Sequence, residues 1–171
     1  MDLKKIGVIA GAFDPMHSGH LQFIKDSIKQ YGLDKVLVLI EKQSRHKKSF
    51  AGFEHRKKIA ELTIKNLPSV ELYESSSDSF PISSTLPKIK SEFKAKTYLL
   101  IGDDVKEHIT SWQNSASILK DVELIVADRN HSGGHSRVSS GKVREQIKSK
   151  TNTADMQEDA LNYCLSNRLY I

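Results

Sequence analysis

Cysteine is nearly absent from this chain: one residue, Cys164, in 171. That excludes a disulfide framework and a cysteine-based zinc cluster, and points to a cytoplasmic protein. Cys164 falls in a helical pattern and reads as a small buried core thiol. No apolar run approaches the ~20 residues of a membrane span. The first apolar stretch, Ile6 to Phe13, is interrupted by glycines and lacks the architecture of a secretory signal. There is one tryptophan, no RNA-binding aromatic motif and no dense basic block, which argues against nucleic acid as the partner. The excess of cations, a formal net charge of +5, suits small polyanions such as mononucleotides and ATP. A chain of 171 residues has room for one well-buried core, so a single domain over 1–171 is expected.

What the chain does have is organised around Gly11-Ala12-Phe13-Asp14-Pro15-Met16-His17-Ser18-Gly19-His20. This stretch separates the apolar run Ile6–Ala10 from an amphipathic segment beginning at Leu21, and reads as strand, tight phosphate-binding turn and helix start. Gly11 releases the backbone from the strand without a Cβ in the way, and Pro15 stiffens the turn. Gly19 permits close approach where helix N–H groups are still unpaired, a place for an anion. His17 and His20, three residues apart, share a face of the first helical turn, and both can donate to phosphate oxygens.

Downstream, strands alternate with helices. Leu21, Ile24, Ile28 and Tyr31 recur at helical spacing until Gly32, and Val36–Ile40 is a continuous apolar strand. After the basic loop Glu41–Gly52 comes a helix with Ile59, Leu62 and Thr63 on one face, ending before Pro68. Val70–Tyr73 forms a third strand, Leu86, Ile89 and Phe93 mark a helix, and Thr97–Ile101 forms a fourth strand. Ile118 and Leu119 mark a short helical segment before a fifth strand, Val122–Ala127. The expected fold is α/β, a Rossmann-like doubly wound parallel five-stranded sheet with helices on both faces. Its ligand should lie beyond the carboxyl ends of the strands, where the opening motif falls.

The decapeptide resembles the G-x-F-D-P-x-H-x-G-H signature of the nucleotidylyltransferase superfamily, with Ala12 where Ser or Thr is usual. His17 is similar to the nicotinate mononucleotide adenylyltransferases and cytidylyltransferases, since the phosphopantetheine branch usually carries Thr at that position. The resemblance implies that Gly11, Ala12, Phe13 and Gly19 bind the phosphates of ATP, and that His17 and His20 are catalytic. Within the basic loop, His46-Lys47 resembles a family His-Lys pair and Arg56 an arginine that anchors the loop, so Lys47 is implied to reach the triphosphate. By charge alone the same run is a solvated loop.

Further on, Val138-Ser139-Ser140-Gly141-Lys142-Val143-Arg144 resembles the second superfamily signature, I-S-S-T-x-I-R, and matches its position better than Ile82-Ser83-Ser84-Thr85 does. Ser139 and Ser140 are implied to offer side-chain and backbone donors to phosphate, and Arg144 to aim at the same anion; Gly141 replaces the usual Thr. Arg129 matches a family arginine at the end of the fifth strand that faces a phosphate. Ser79–Leu86 resembles the family's S-Y-T-x-D-T-L stretch, which brings Thr85 into the acceptor pocket, although Pro81 stands where a Thr holds the nicotinate carboxylate. An N-cap at Ser83 or Ser84 without ligand contact is the alternative. Ile101-Gly102-Asp103-Asp104, with Trp112 beyond, resembles I-G-x-D followed by W. Gly102 then admits the ligand, Asp104 accepts from ribose hydroxyls and Trp112 stacks on a pyridine ring.

His131 and His135 bracket Gly133-Gly134, which argues against the helix that a His-x3-His metal site needs, so no protein metal site is expected. Ala160–Tyr170 resembles the family's V-x-x-Y-I-x-x-N-x-L-Y ending, with Met156, Ala160, Tyr163 and Cys164 as a packing face. The resemblance implies transfer of AMP from ATP, accompanied by Mg²⁺, to a pyridine mononucleotide, nicotinate mononucleotide first. Nicotinamide mononucleotide or phosphopantetheine as acceptor, or a catalytically silent nucleotide sensor, are the alternatives.

Overall fold

Val36, Leu37, Val38 and Leu39 are all buried, at most 1% exposed, as an unbroken apolar strand must be when both faces of its sheet are covered. Each such burial contributes ~1.5–3 kcal/mol. The computed structural model describes residues 3–42, 50–74, 82–111, 115–127, 138–150 and 155–171. Its strands are β1 (Lys5–Gly11), β2 (Lys35–Ile40), β3 (Val70–Leu72), β4 (Lys96–Ile101) and β5 (Glu123–Val126). They form one sheet in the order β3-β2-β1-β4-β5, with every pairing parallel.

Helices α1 (Ser18–Tyr31) and α2 (Phe53–Ile64) connect the first three strands. Next come α3 (Ile82–Phe93), α4 (Asp103–Lys106), α5 (Ser115–Asp121), α6 (Ser140–Ser149) and α7 (Glu158–Ser166). Alternation along β1 divides the core. Ile6 and Val8 pack with Leu86, Ile89 and Ile118 of α3 and α5, whereas Ile9 packs with Leu21 and Ile24 of α1 and Ala60 and Ile64 of α2. Helices therefore cover both faces, as the doubly wound expectation requires. At Gly7 a Cβ would come within 2.9 Å of Leu33 and 3.0 Å of Leu100, so only glycine lets those side chains meet over β1.

A third cluster lies outside the sheet layers. Ile59 of α2, Val143 and Ile147 of α6, and Met156, Ala160 and Cys164 pack together, so α6 and α7 lie against α2. The His55 ring bonds to the Tyr163 hydroxyl at 2.9 Å across the α2–α7 contact. This outer layer brings α6 and the segment after α7 to the turn that follows β1.

The direction in which strands are added to the sheet reverses at β1. The first three strands progress one way from it, and β4 then pairs on its other side, with Ile9 opposite Leu100. The crevice at the carboxyl ends of β1 and β4 is the topological switch point, where parallel α/β sheets bind ligands. Gly11 and Gly102 lie at its two sides.

Helix α1 begins at Ser18, which places His20 in its first turn as the sequence reading expects. Helix α3 begins at Ile82, so Ser83 and Ser84 lie inside its first turn and not ahead of it. A one-turn α4 and a 3-10 turn, Ile109–Ser111, follow β4, both too short and polar to leave a periodic signal. Among the described residues no helix is long and apolar enough to cross a membrane.

Candidate active site

The turn after β1 is held in an uncommon backbone. Phe13 has φ 46°, a left-handed conformation unfavourable to a residue with a Cβ, and its ring is buried, at 5% exposed. A Cβ on Gly11 would make only ordinary contact with that ring, 3.6 Å away. The turn's conformational demand thus falls on Phe13, contrary to the role read for Gly11.

His17 caps α1 in extended conformation, φ −140° and ψ 175°. Its N–H donates to Nδ1 of His20 at 3.3 Å, and the two rings stack with centres 3.8 Å apart and planes 28° apart. Phe13 meets His20 edge-on, centres 5.0 Å apart. An Nδ1 that accepts leaves the ring proton on Nε2, so His20 presents an N–H donor away from the helix. His17 is buried and His20 half-buried, so the inner ring supports the outer one. Gly19 lies between them in sequence, in the first turn of α1, the part of a helix whose N–H groups can receive an anion.

Arg56 and Asp14 tie this turn to its surroundings. The Arg56 side chain is fully buried, and its guanidinium donates to four carbonyls: Ala12 at 2.6 Å, Glu41 at 2.8 Å, Lys42 at 2.9 Å and Ala51 at 3.1 Å. Burial lowers its pKa and the nearby Asp14 carboxylate opposes that, so it remains a cation among carbonyl dipoles. Ala12, lacking the usual hydroxyl, is engaged through its backbone. The Asp14 carboxylate accepts from the Phe50 N–H at 2.6 Å, the Ala51 N–H at 3.1 Å and the Tyr170 hydroxyl at 2.7 Å.

Helix α6 reaches the same turn from the outer layer. Ser139 caps it, its hydroxyl oxygen accepting from the Lys142 N–H at 3.2 Å. Ser140 donates its hydroxyl to the Pro15 carbonyl at 2.8 Å, so this hydroxyl fastens α6 to the turn, a bond of which the motif gave no sign. Arg144 donates to the Asp14 carbonyl at 2.5 Å and stacks on the Phe50 ring at 4.0 Å. Of its five donors that carbonyl takes one, and both contacts hold the cation at the turn after β1.

On the other side of the crevice, Gly102 caps α4 in extended conformation, and Asp104 is exposed in that helix, its N–H donating to Asp103 at 2.9 Å. Thr85 is 3% exposed in α3. Lys47, Pro81, Trp112, Arg129, His131 and His135 lie outside the described residues. The structure thus brings His17, His20, Ser140 and Arg144 to one turn and puts Gly102 and Asp104 across the switch point from it. Sequence reasoning assigned nothing to Asp14, Phe50 or Tyr170. Asp14 and Tyr170 stand inside quoted motifs, the only signal they gave.

A parallel sheet with a tight turn at the switch point and two imidazoles at the start of the following helix has the layout of a nucleotide-handling protein, and the chain belongs to the cytidylyltransferase-like family, which matches residues 8–153. Its relatives narrow that class. The "Nicotinate-nucleotide adenylyltransferase" of Bacillus subtilis is 28% identical over 98% of this chain and 99% of its own. A "Probable nicotinate-nucleotide adenylyltransferase" of Helicobacter pylori strain J99 is 31% identical over 75% of this chain and 77% of its own. Among solved structures, the Plasmodium falciparum nicotinic acid mononucleotide adenylyltransferase complexed with NaAD has a TM-score of 0.80 at 18% identity, covering 98% of this chain and 97% of that one. That last likeness is one of fold.

Proposed function

We propose that this chain transfers the AMP moiety of ATP to nicotinate mononucleotide, forming the deamido-NAD dinucleotide and releasing pyrophosphate. The observation that carries this reading is the convergence of the His17–His20 pair and Arg144 on the turn after β1, in a chain that aligns from end to end with a relative named for the reaction. An oxygen of the acceptor's phosphate attacks the α-phosphorus in line, and the bond to the bridging oxygen breaks toward pyrophosphate. No protein nucleophile is needed. The protein's task is positioning and neutralisation of charge on the phosphate oxygens.

His20 offers Nε2–H to the α-phosphate, and His17 serves the neighbouring phosphates. Gly11, Ala12, Phe13 and Gly19 bring backbone close to them, and the Ser139 hydroxyl and the first N–H groups of α6, that of Ser140 included, meet the triphosphate. Arg144, Lys47 and Arg129 neutralise the departing pyrophosphate. Thr85, Gly102, Asp104 and Trp112 form the acceptor side, Asp104 accepting from the ribose and Trp112 stacking on the pyridine.

Mg²⁺ accompanies ATP. As a hard cation it would keep phosphate oxygens and water as ligands and neutralise the triphosphate. The reaction belongs to the cytoplasm, in keeping with one buried, unpaired cysteine.

Pro81, in place of a residue able to bind the nicotinate carboxylate, favours a second reading in which nicotinamide mononucleotide is also used. Pyrophosphate release with MgATP and nicotinate mononucleotide, nicotinamide mononucleotide and phosphopantetheine in turn tests both. Release with none of them would leave a nucleotide-binding sensor.

A further inference from the structure

Tyr170 lies at the end of a segment that turns back sharply after α7. Leu169 N–H donates to the Cys164 carbonyl at 2.9 Å, and both Arg168 (φ 53°) and Tyr170 (φ 63°) adopt left-handed backbone. Neither is glycine, so each carries conformational strain that its surroundings must offset. The turn delivers the Tyr170 hydroxyl to the buried Asp14 carboxylate at 2.7 Å. Burial, and then the bond to Asp14, raise the pKa of the phenol, so it stays a neutral donor.

From Asp14 the contacts form a closed circuit. One carboxylate oxygen receives the Tyr170 hydroxyl and the Ala51 N–H, and the other receives the Phe50 N–H at 2.6 Å. Phe50 is 71% exposed, so its backbone bond to Asp14, and not burial, positions its ring. That ring lies under the Arg144 guanidinium at 4.0 Å, and Arg144 returns to the Asp14 carbonyl at 2.5 Å. The aim of Arg144 is therefore set by a backbone acceptor and an aromatic platform, both governed by Asp14.

We propose that Tyr170 is a positioning residue for nucleotidyl transfer: by fixing the Asp14 carboxylate it sets the Phe50 platform and thereby aims Arg144 at the phosphates of ATP. This rests on the adenylyl transfer proposed above. Without the hydroxyl, Asp14 keeps its two N–H donors but loses the third bond that anchors its carboxylate, and Arg144 is left with a looser seat. A displacement of about 1 Å at a positioning group costs up to roughly a hundredfold in rate.

The test is a double-variant cycle on the intact protein. Turnover of MgATP with nicotinate mononucleotide is measured for the wild type, Tyr170→Phe, Arg144→Ala and the double variant, together with the thermal midpoint of each and MgATP affinity without acceptor. Tyr170→Phe should lower kcat about tenfold to a hundredfold, leave the KM for nicotinate mononucleotide unchanged, and add nothing in the Arg144→Ala background. Phe50→Leu, at an exposed site where folding is not at risk, should behave likewise. Losses that multiply in the double variant, or a Tyr170→Phe protein with wild-type kcat, would overturn the proposal. If the wild type itself does not turn over, the reaction assignment fails separately, and the MgATP affinities decide the positioning by the same comparison: equal values for Arg144→Ala and the double variant support it, and additive losses overturn it.

Discussion

His17 lies face to face with His20, ring centres 3.8 Å apart, and its own N–H holds Nδ1 of the outer ring. The pair is a graded arrangement: one imidazole backs and orients, and the other presents a fixed donor. Two rings at helical spacing on a solvated surface would rotate independently, whereas here a buried ring and a capping bond fix the tautomer of the outer one.

His20→Ala should therefore lower kcat by about 10²–10³, the range for losing one preorganised donor to a developing charge. It removes one partner of a helix cap, so stability should fall by only about 0.5–2 kcal/mol. Steady-state kinetics beside urea unfolding separate the two effects. A folded variant with near wild-type kcat would remove His20 from the chemistry.

Arg56 is predicted to behave in the opposite way. Its guanidinium satisfies four carbonyls in a fully buried site, and an ammonium cannot span them all. Arg56→Lys should cost about 2–5 kcal/mol of stability, read from the denaturation midpoint. Stability unchanged within experimental error would contradict the four-carbonyl role.

The fold was legible where burial alone shapes the sequence. Val36–Leu39 is apolar at every position because both sheet faces are covered, and Gly32, at φ 63°, ends α1 where the apolar stripe stops. Legibility failed where function or polar pairing replaces that pattern. After β4, α4 is a single polar turn with no apolar stripe to betray it. The turn after β1 was visible as a local motif, but its support was not. Asp14 and Tyr170 are 156 residues apart, and periodicity says which face a residue occupies without saying which distant polar group it will meet.

Burial raises the Cys164 thiol from its ordinary 9.0 to about 12. The neutral thiol is favoured in the folded state, so its contribution is fully present below pH ~9 and is lost as pH rises toward ~12, at up to about 1.4 kcal/mol per pH unit for one proton. Urea unfolding at several alkaline pH values should show a steeper loss for the wild type than for Cys164→Ala. Parallel curves would mean that the thiol is not desolvated. At neutral pH the native thiol should resist alkylation and react only after unfolding.

Lys47, in the basic run after β2, is expected to serve ATP alone. Lys47→Ala should raise the KM for ATP and leave that for the acceptor nearly unchanged, because a point charge on the triphosphate does not reach the pyridine. An unchanged ATP KM would return Lys47 to a solvated loop.

The most direct test is the ratio of kcat/KM for nicotinate and nicotinamide mononucleotide, measured side by side with MgATP and with the dinucleotide product identified by mass. An anionic ring gains from the helix N–H groups of α3 and from the net positive field, whereas a neutral amide gains much less. The missing donor at Pro81 trims this advantage, since a charge-assisted bond is worth about 1.5–3 kcal/mol. The account predicts deamido-NAD as the favoured product, with nicotinate preferred by a modest factor; a clear preference for nicotinamide mononucleotide would contradict it.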